Sequence, residues 1–177
     1  VGGVPFFRKG AGHELAQLAS MKHAGGHAVR TWRAAKGTRD ARELLAEAAA
    51  LGLKDCMGLD IARERHGYDY DDAKAVAAQN DQMMIDVMRL KGHPALLMWG
   101  LGNELNLRAT NNAVWDAIED LASRIKEVDP NHPVTTMLAG IDKPTVTAIA
   151  ERAPSLDFLS FQIYGEIDRL PEILNSA

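Results

Sequence analysis

Short apolar runs alternate with longer amphipathic stretches six times along this 177-residue chain, and that alternation constrains the fold more than any other feature. The apolar runs 4–9, 28–32, 53–59, 95–101, 134–138 and 157–164 read as strands. Between and after them, 13–24, 39–51, 71–90, 111–128, 145–152 and 170–174 read as helices. Leu15, Leu18 and Met21 recur at a helical step in the first helix, and Gly25-Gly26, Gly52 and Gly92 follow the first three, as glycine does past a helix end. Asp71 and Asp72 open the long third helix, Asn111 or Asn112 caps the fourth, and Pro144 sits near the first turn of the fifth. Strands alternating with helices predict βαβ crossovers and a parallel sheet.

A doubly wound sheet and a (β/α)8 barrel both satisfy this pattern. A doubly wound nucleotide-binding sheet carries G-x-G-x-x-G after its first strand. Here the corresponding turn is Lys9-Gly10-Ala11-Gly12-His13-Glu14-Leu15, which lacks the third glycine, and no Walker-type G-x-x-x-x-G-K-[ST] occurs. The barrel is therefore preferred: an α/β fold of TIM-barrel type in one domain over residues 1–177, incomplete at six of the usual eight units.

The run Leu96-Leu97-Met98-Trp99-Gly100-Leu101-Gly102-Asn103-Glu104 places a carboxylate at the tip of a buried strand. Parallel barrels build catalytic sites at such C-terminal strand ends, which makes Glu104 the leading catalytic candidate. A net charge of -4 leaves no basic footprint for nucleic acid. No apolar run is long enough to span a bilayer. The lone Cys56 cannot form an internal disulfide and reads as an inert buried thiol. The chain opens Val1-Gly2-Gly3 without a charged n-region or apolar h-region, so it reads as an excised piece whose localisation is unknown.

With its preceding His93-Pro94-Ala95, the 96–104 run resembles the fourth-strand signature of the catalytic barrel in glycoside hydrolase family 2 and, more broadly, its clan of retaining glycosidases. Val29-Arg30-Thr31-Trp32 resembles that family's second strand. Asp129-Pro130-Asn131-His132-Pro133-Val134-Thr135 is similar to the turn into its fifth, and Asp157-Phe158-Leu159-Ser160-Phe161-Gln162-Ile163-Tyr164 resembles its sixth. The resemblance implies Glu104 as acid/base and Asn103 as partner of the sugar 2-hydroxyl. It also implies Arg30 beneath the nucleophile, holding it ionised, and Tyr164 donating a hydrogen bond to it. In the family the nucleophilic glutamate comes from the seventh strand, which this chain does not reach, so no residue here inherits the role.

Other residues carry competing readings. Trp99 and Trp32 are candidates for a sugar-stacking platform, with core packing the alternative, while the helical spacing of Trp115 turns it to the core. Glu64 and His66 follow the third strand and are candidates for substrate contact at the site mouth, with a solvated loop as the plain alternative. Lys54, Asp55 and Asp60 put unusual polarity in and just after the third strand, facing solvent, engineered, or adapted to a missing neighbour. His13-Glu14 is not H-E-x-x-H, because Gln17 stands where the second histidine belongs, and no metal or organic cofactor is implied. No G-x-S-x-G elbow supports a serine hydrolase.

The expected function is retaining hydrolysis of a β-glycosidic bond on a carbohydrate partner. The alternatives are a non-catalytic barrel fragment, split or engineered, and a carbohydrate-binding remnant. Open barrel edges predict a homo-oligomer, because unpaired strands and apolar faces recruit partners.

Overall fold

Six parallel strands in sequence order form one sheet that curls into a half-barrel. They are β1 (Gly10–Gly12), β2 (Ala28–Arg30), β3 (Lys54–Leu59), β4 (Leu96–Leu101), β5 (Val134–Ala139) and β6 (Phe158–Gln162). Helices α1 (Leu18–His23), α2 (Ala41–Ala50), α3 (Ala73–Leu90), α4 (Ala113–Val128), α5 (Lys143–Arg152) and α6 (Leu170–Leu174) follow the strands in turn. This computed structural model describes residues 10–12, 18–36, 39–165 and 167–175.

The expected first strand, 4–9, lies outside the described residues. The strand that is described sits instead at Gly10–Gly12, where a turn was expected, and it pairs with Ala28–Arg30. Its composition explains the difference. A Cβ at Gly10 would lie 2.3 Å from the Ala28 carbonyl oxygen, so only glycine permits the backbones to approach this closely.

The helix expected from 39 begins at Ala41, because the Asp40 side chain caps it by accepting from the Arg42 N–H at 2.7 Å. Asp72 caps α3 by accepting from the N–H groups of Lys74 and Ala75. For α4 the side-chain cap is Asn111, which accepts from Ala113 N–H at 2.9 Å, whereas Asn112 makes no such bond. Asp142 caps α5, and Pro144 occupies the first turn as expected.

The main core lies between the sheet and the helices. Val29, Met57, Leu59, Trp99 and Leu101 project into it from the strands, and α4 answers with Ile118, Leu121 and Ile125. Trp115 is 3% exposed in this core. The opposite face of the sheet carries a second, small apolar cluster of Cys56, Met98 and Met137. With Arg30, Ser160 and Gln162, that cluster lines an open groove of about 410 Å³, the interior of the half-barrel. β1 pairs only with β2, and β6 only with β5, among the described residues. Among them no helix is long and apolar enough to cross a membrane.

Of the polar residues in and just after the third strand only Asp55 is buried, while Lys54 and Asp60 are half-buried. Asp55 is fully buried, with one carboxylate oxygen accepting from the Thr31 hydroxyl at 3.3 Å and the other unpartnered. Thr31 also accepts from the Gly58 N–H at 3.2 Å, which ties the end of β2 to β3. Lys54 donates to the Pro94 carbonyl, and Asp60 pairs with Arg33 and Arg63.

Burial pushes the Asp55 carboxyl up to about 7, against the Thr31 hydrogen bonds. An acid whose folded pKa is raised holds its proton in the native state after the unfolded chain has released it. Stability therefore falls as pH rises from about 4 to about 7, by on the order of 1 kcal/mol per pH unit, and levels off above that. Burial lowers the pKa of His93, which acts in the opposite sense near neutrality. Comparison of wild type with Asp55→Asn cancels that contribution. Asp55→Asn is expected to be the more stable protein at pH 8 and to lose that advantage at pH 4.5, as read by urea unfolding. Equal pH slopes for the two proteins would sink the prediction.

Candidate active site

Glu104 lies just beyond the tip of β4, in the left-handed region with φ 53°. Two residues earlier, Gly102 turns the chain with φ 68°, a conformation only glycine adopts without strain. A non-glycine residue at positive φ is uncommon and persists only where its surroundings hold it. Here they do. The Glu104 N–H donates to the Met137 carbonyl of β5 at 2.8 Å. Its own carbonyl accepts from the Arg65 guanidinium, and the Asn103 carbonyl accepts from Arg63 Nε at 3.1 Å. Two arginines of the β3–α3 connection thus clamp the backbone that carries the candidate acid. Among the described residues no side chain or N–H bonds the Glu104 carboxyl, so it is available to a ligand.

Asn103 faces the barrel interior. Its Oδ1 accepts from Arg30 Nη2 at 2.8 Å and from Gln162 Nε2 at 2.8 Å. Arg30 comes from the end of β2, and its guanidinium carbon stands 5.5 Å from the Trp32 ring centroid, within cation–π range. One face of Trp32 is thereby committed to Arg30. The buried Arg30 Nε has no hydrogen-bond partner, and no carboxylate among the described residues pairs with this guanidinium. Burial lowers the Arg30 pKa, opposed by Cys56, Tyr164 and Glu104 nearby.

Tyr164 is 77% exposed, and its hydroxyl donates to Gln162 Oε1 at 2.9 Å. The single hydroxyl proton is thus committed to Gln162.

Trp99 is 0% exposed on the helix side of β4, and its indole N–H donates to Asp129 Oδ2 at 2.9 Å. It has no face to offer a sugar, which corrects the stacking-platform reading. Strand alternation turned it away from the interior that Met98 faces.

His66 is exposed in the 3-10 turn Glu64–His66, beside a cleft formed with Asp60, Arg63 and Tyr68. Glu64 is taken by structure instead. Its carboxylate accepts from the Thr110 hydroxyl at 2.6 Å and from the N–H groups of Thr110 and Asn111. Those bonds, the Thr110 hydroxyl foremost, hold it below the usual carboxylate range. The connection after β3 is thereby pinned to the one after β4.

Arg30, Asn103, Glu104, Gln162 and Tyr164 therefore converge at the C-terminal ends of β2, β4 and β6, with Arg63 and Arg65 supporting them. Sequence reading missed Gln162, Arg63 and Arg65. The signal for Gln162 was present: Ser160 and Gln162 alternate along β6 and so share one face, and Tyr164 follows two residues beyond. The two arginines gave none, because their bonds go to backbone carbonyls more than thirty positions away.

The profile of glycosyl hydrolases family 2, TIM barrel domain, matches residues 44–175. The chain belongs to glycosyl hydrolase family 2. A solved family 2 member from Bacteroides cellulosilyticus superposes with a TM-score of 0.63 at 23% identity, covering 90% of this chain and 20% of that one. Bacteroides uniformis beta-glucuronidase 2, bound covalently to cyclophellitol-6-carboxylate aziridine, superposes at 0.72 with 15% identity, over 98% of this chain and 23% of that one. A beta-1,4-D-mannanase from Cryptopygus antarcticus reaches 0.63 at 13% identity, over 84% and 59%. At such identities the likeness concerns the fold. The chain spans about a fifth of the length of the family 2 structure from Bacteroides cellulosilyticus. A search of curated proteins finds no significant match.

Proposed function

We propose that this family 2 barrel serves the retaining hydrolysis of a β-glycosidic bond. Glu104 is the general acid/base, Asn103 meets the sugar 2-hydroxyl, and His66 contacts substrate at the mouth. A retaining site needs a second carboxylate about 5–5.5 Å from the acid. The observation that carries this reading is the half-buried Arg30 guanidinium, whose Nε is orphaned and which no carboxylate pairs among the described residues. A buried cation without a counter-ion is costly, and an arginine fork is shaped to receive a carboxylate. The reading therefore places the nucleophile above Arg30, supplied from outside the described residues. The edges of β1 and β6, unpaired among the described residues, are where its strand, or a second copy of this chain, would pair.

The substrate is a carbohydrate, and a β-glucuronide is the first to try, given the glucuronidase among the similar structures. The test is the stereochemistry of the first-formed product, followed by proton NMR with the closed barrel and size-fractionated chain. Initial release of the β-anomer is expected. Initial α-anomer, or sugar binding with no turnover of any β-glycoside, would overturn the proposal.

A further inference from the structure

The polar groups at the ends of β2, β4 and β6 form one chain of hydrogen bonds whose direction is forced. Arg30 has donors only. The Asn103 amide must therefore present its oxygen to Arg30, and the 2.8 Å contact joins Nη2 to Oδ1. A carbonyl oxygen has two lone pairs, and Gln162 Nε2, also at 2.8 Å, takes the second. With its nitrogen turned to Asn103, Gln162 must turn its oxygen to Tyr164, whose hydroxyl at 2.9 Å is then the donor. Each orientation follows from the one before, beginning at the residue that cannot accept.

The outcome is an asparagine with its acceptor saturated and both N–H groups of Nδ2 unspent among the described residues. Turning the amide over would set those N–H groups against the Arg30 donor and, with Gln162 oriented as it stands, against Nε2 as well. The three strands involved are alternate ones, which contribute to the same layer of a barrel interior. That is why residues 73 and 59 positions from Asn103 reach a single atom.

We propose that Gln162 is a positioning residue which, acting through Asn103, holds the Asn103 amide with its N–H groups toward the bound sugar and so sets selectivity for a sugar bearing a hydroxyl beside the anomeric carbon. This rests on the reading of the site given above. Arg30 alone is a poor lock, since the same guanidinium is the group that would receive a carboxylate. Gln162 has no such second duty.

The experiment compares kcat/KM for an aryl β-glycoside and its 2-deoxy counterpart in the protein with its barrel closed. Asn103→Ala defines the loss of hydroxyl recognition. Gln162→Met keeps the length and removes both amide groups. It is expected to lower the ratio of the two values about 10-fold while changing the 2-deoxy value less than about 3-fold, as loss of one well-placed hydrogen bond does. Gln162→Glu keeps the acceptor for Tyr164 but has no donor for Asn103, and it is expected to lose the ratio likewise. It serves as the second variant should Gln162→Met fold poorly. A ratio unchanged in a folded Gln162 variant, or an equal fall on both substrates, overturns the inference.

Failure of the underlying reading looks different. A fully active Glu104→Gln alongside a flattened Gln162→Met ratio would remove the acid/base assignment and leave the positioning role standing. If no glycoside is turned over, the same ratio is read calorimetrically from binding of the sugar and its 2-deoxy analogue. Equal affinities in wild type then overturn the inference.

Discussion

Glu104→Gln is expected to lower kcat/KM for β-glycosides with poor leaving groups by about 10³-fold, within the range typical of a lost general acid or base. Glutamine has the shape of the acid but no proton to give to the departing oxygen. An activated aryl leaving group departs without that proton, so the first step should fall far less and the second step become limiting. The structure supplies the geometry for a pure chemical effect. The Glu104 backbone is held by Met137 and Arg65 and not by its own carboxyl, so the substitution leaves those bonds in place. Steady-state kinetics on two leaving groups, with the barrel closed, provides the check. An equal fall on both would point to a structural lesion, and no fall would remove Glu104 from the chemistry.

The largest stability effect is expected at Trp99. Trp99→Ala should cost about 3–5 kcal/mol, the range for truncating a large buried aromatic. The side chain is 0% exposed in the main core. It also satisfies Asp129, which is 6% exposed and shares its carboxylate with His132 Nδ1 at 2.8 Å. Trp99→Phe keeps most of the volume and removes the indole N–H from Asp129, which retains His132, so it should cost about 1–2 kcal/mol. Urea unfolding of the three proteins measures both terms. If Trp99→Ala stays within about 1 kcal/mol of wild type, the account of this core is wrong.

The two effects separate the two faces of one strand. Met98 faces the barrel interior and Trp99 the helices, and beyond them the chain turns at Gly102 to present Asn103 and Glu104. The apolar run and its carboxylate at the tip were legible in sequence. So was the residue type needed at Arg30. The face taken by each residue depended on register, and register depends on pairing with a strand far away in the chain. Trp99 was therefore open to two readings until β4 was seen beside β5.

Composition and periodicity determined most of the architecture. Apolar runs of strand length, separated by helical patterns and capped by Asp40, Asp72 and Asp142, fold into β/α units because each element must bury one face. The parallel order of the sheet follows from those crossovers. The catalytic candidate, too, was fixed locally, by a strand that ends in a carboxylate.

Only the tertiary structure decided what each polar group touches. Asp55 was open to several readings, solvent-facing among them, and is buried. Glu64 read as a substrate contact or a solvated loop residue and ties two loops together. Arg63 and Arg65 hold the backbone of Asn103 and Glu104. Gln162 meets Asn103 across the sheet. Hydrogen bonds are short-ranged and directional, so a partner many positions away in sequence leaves no trace until the fold brings it within 3 Å.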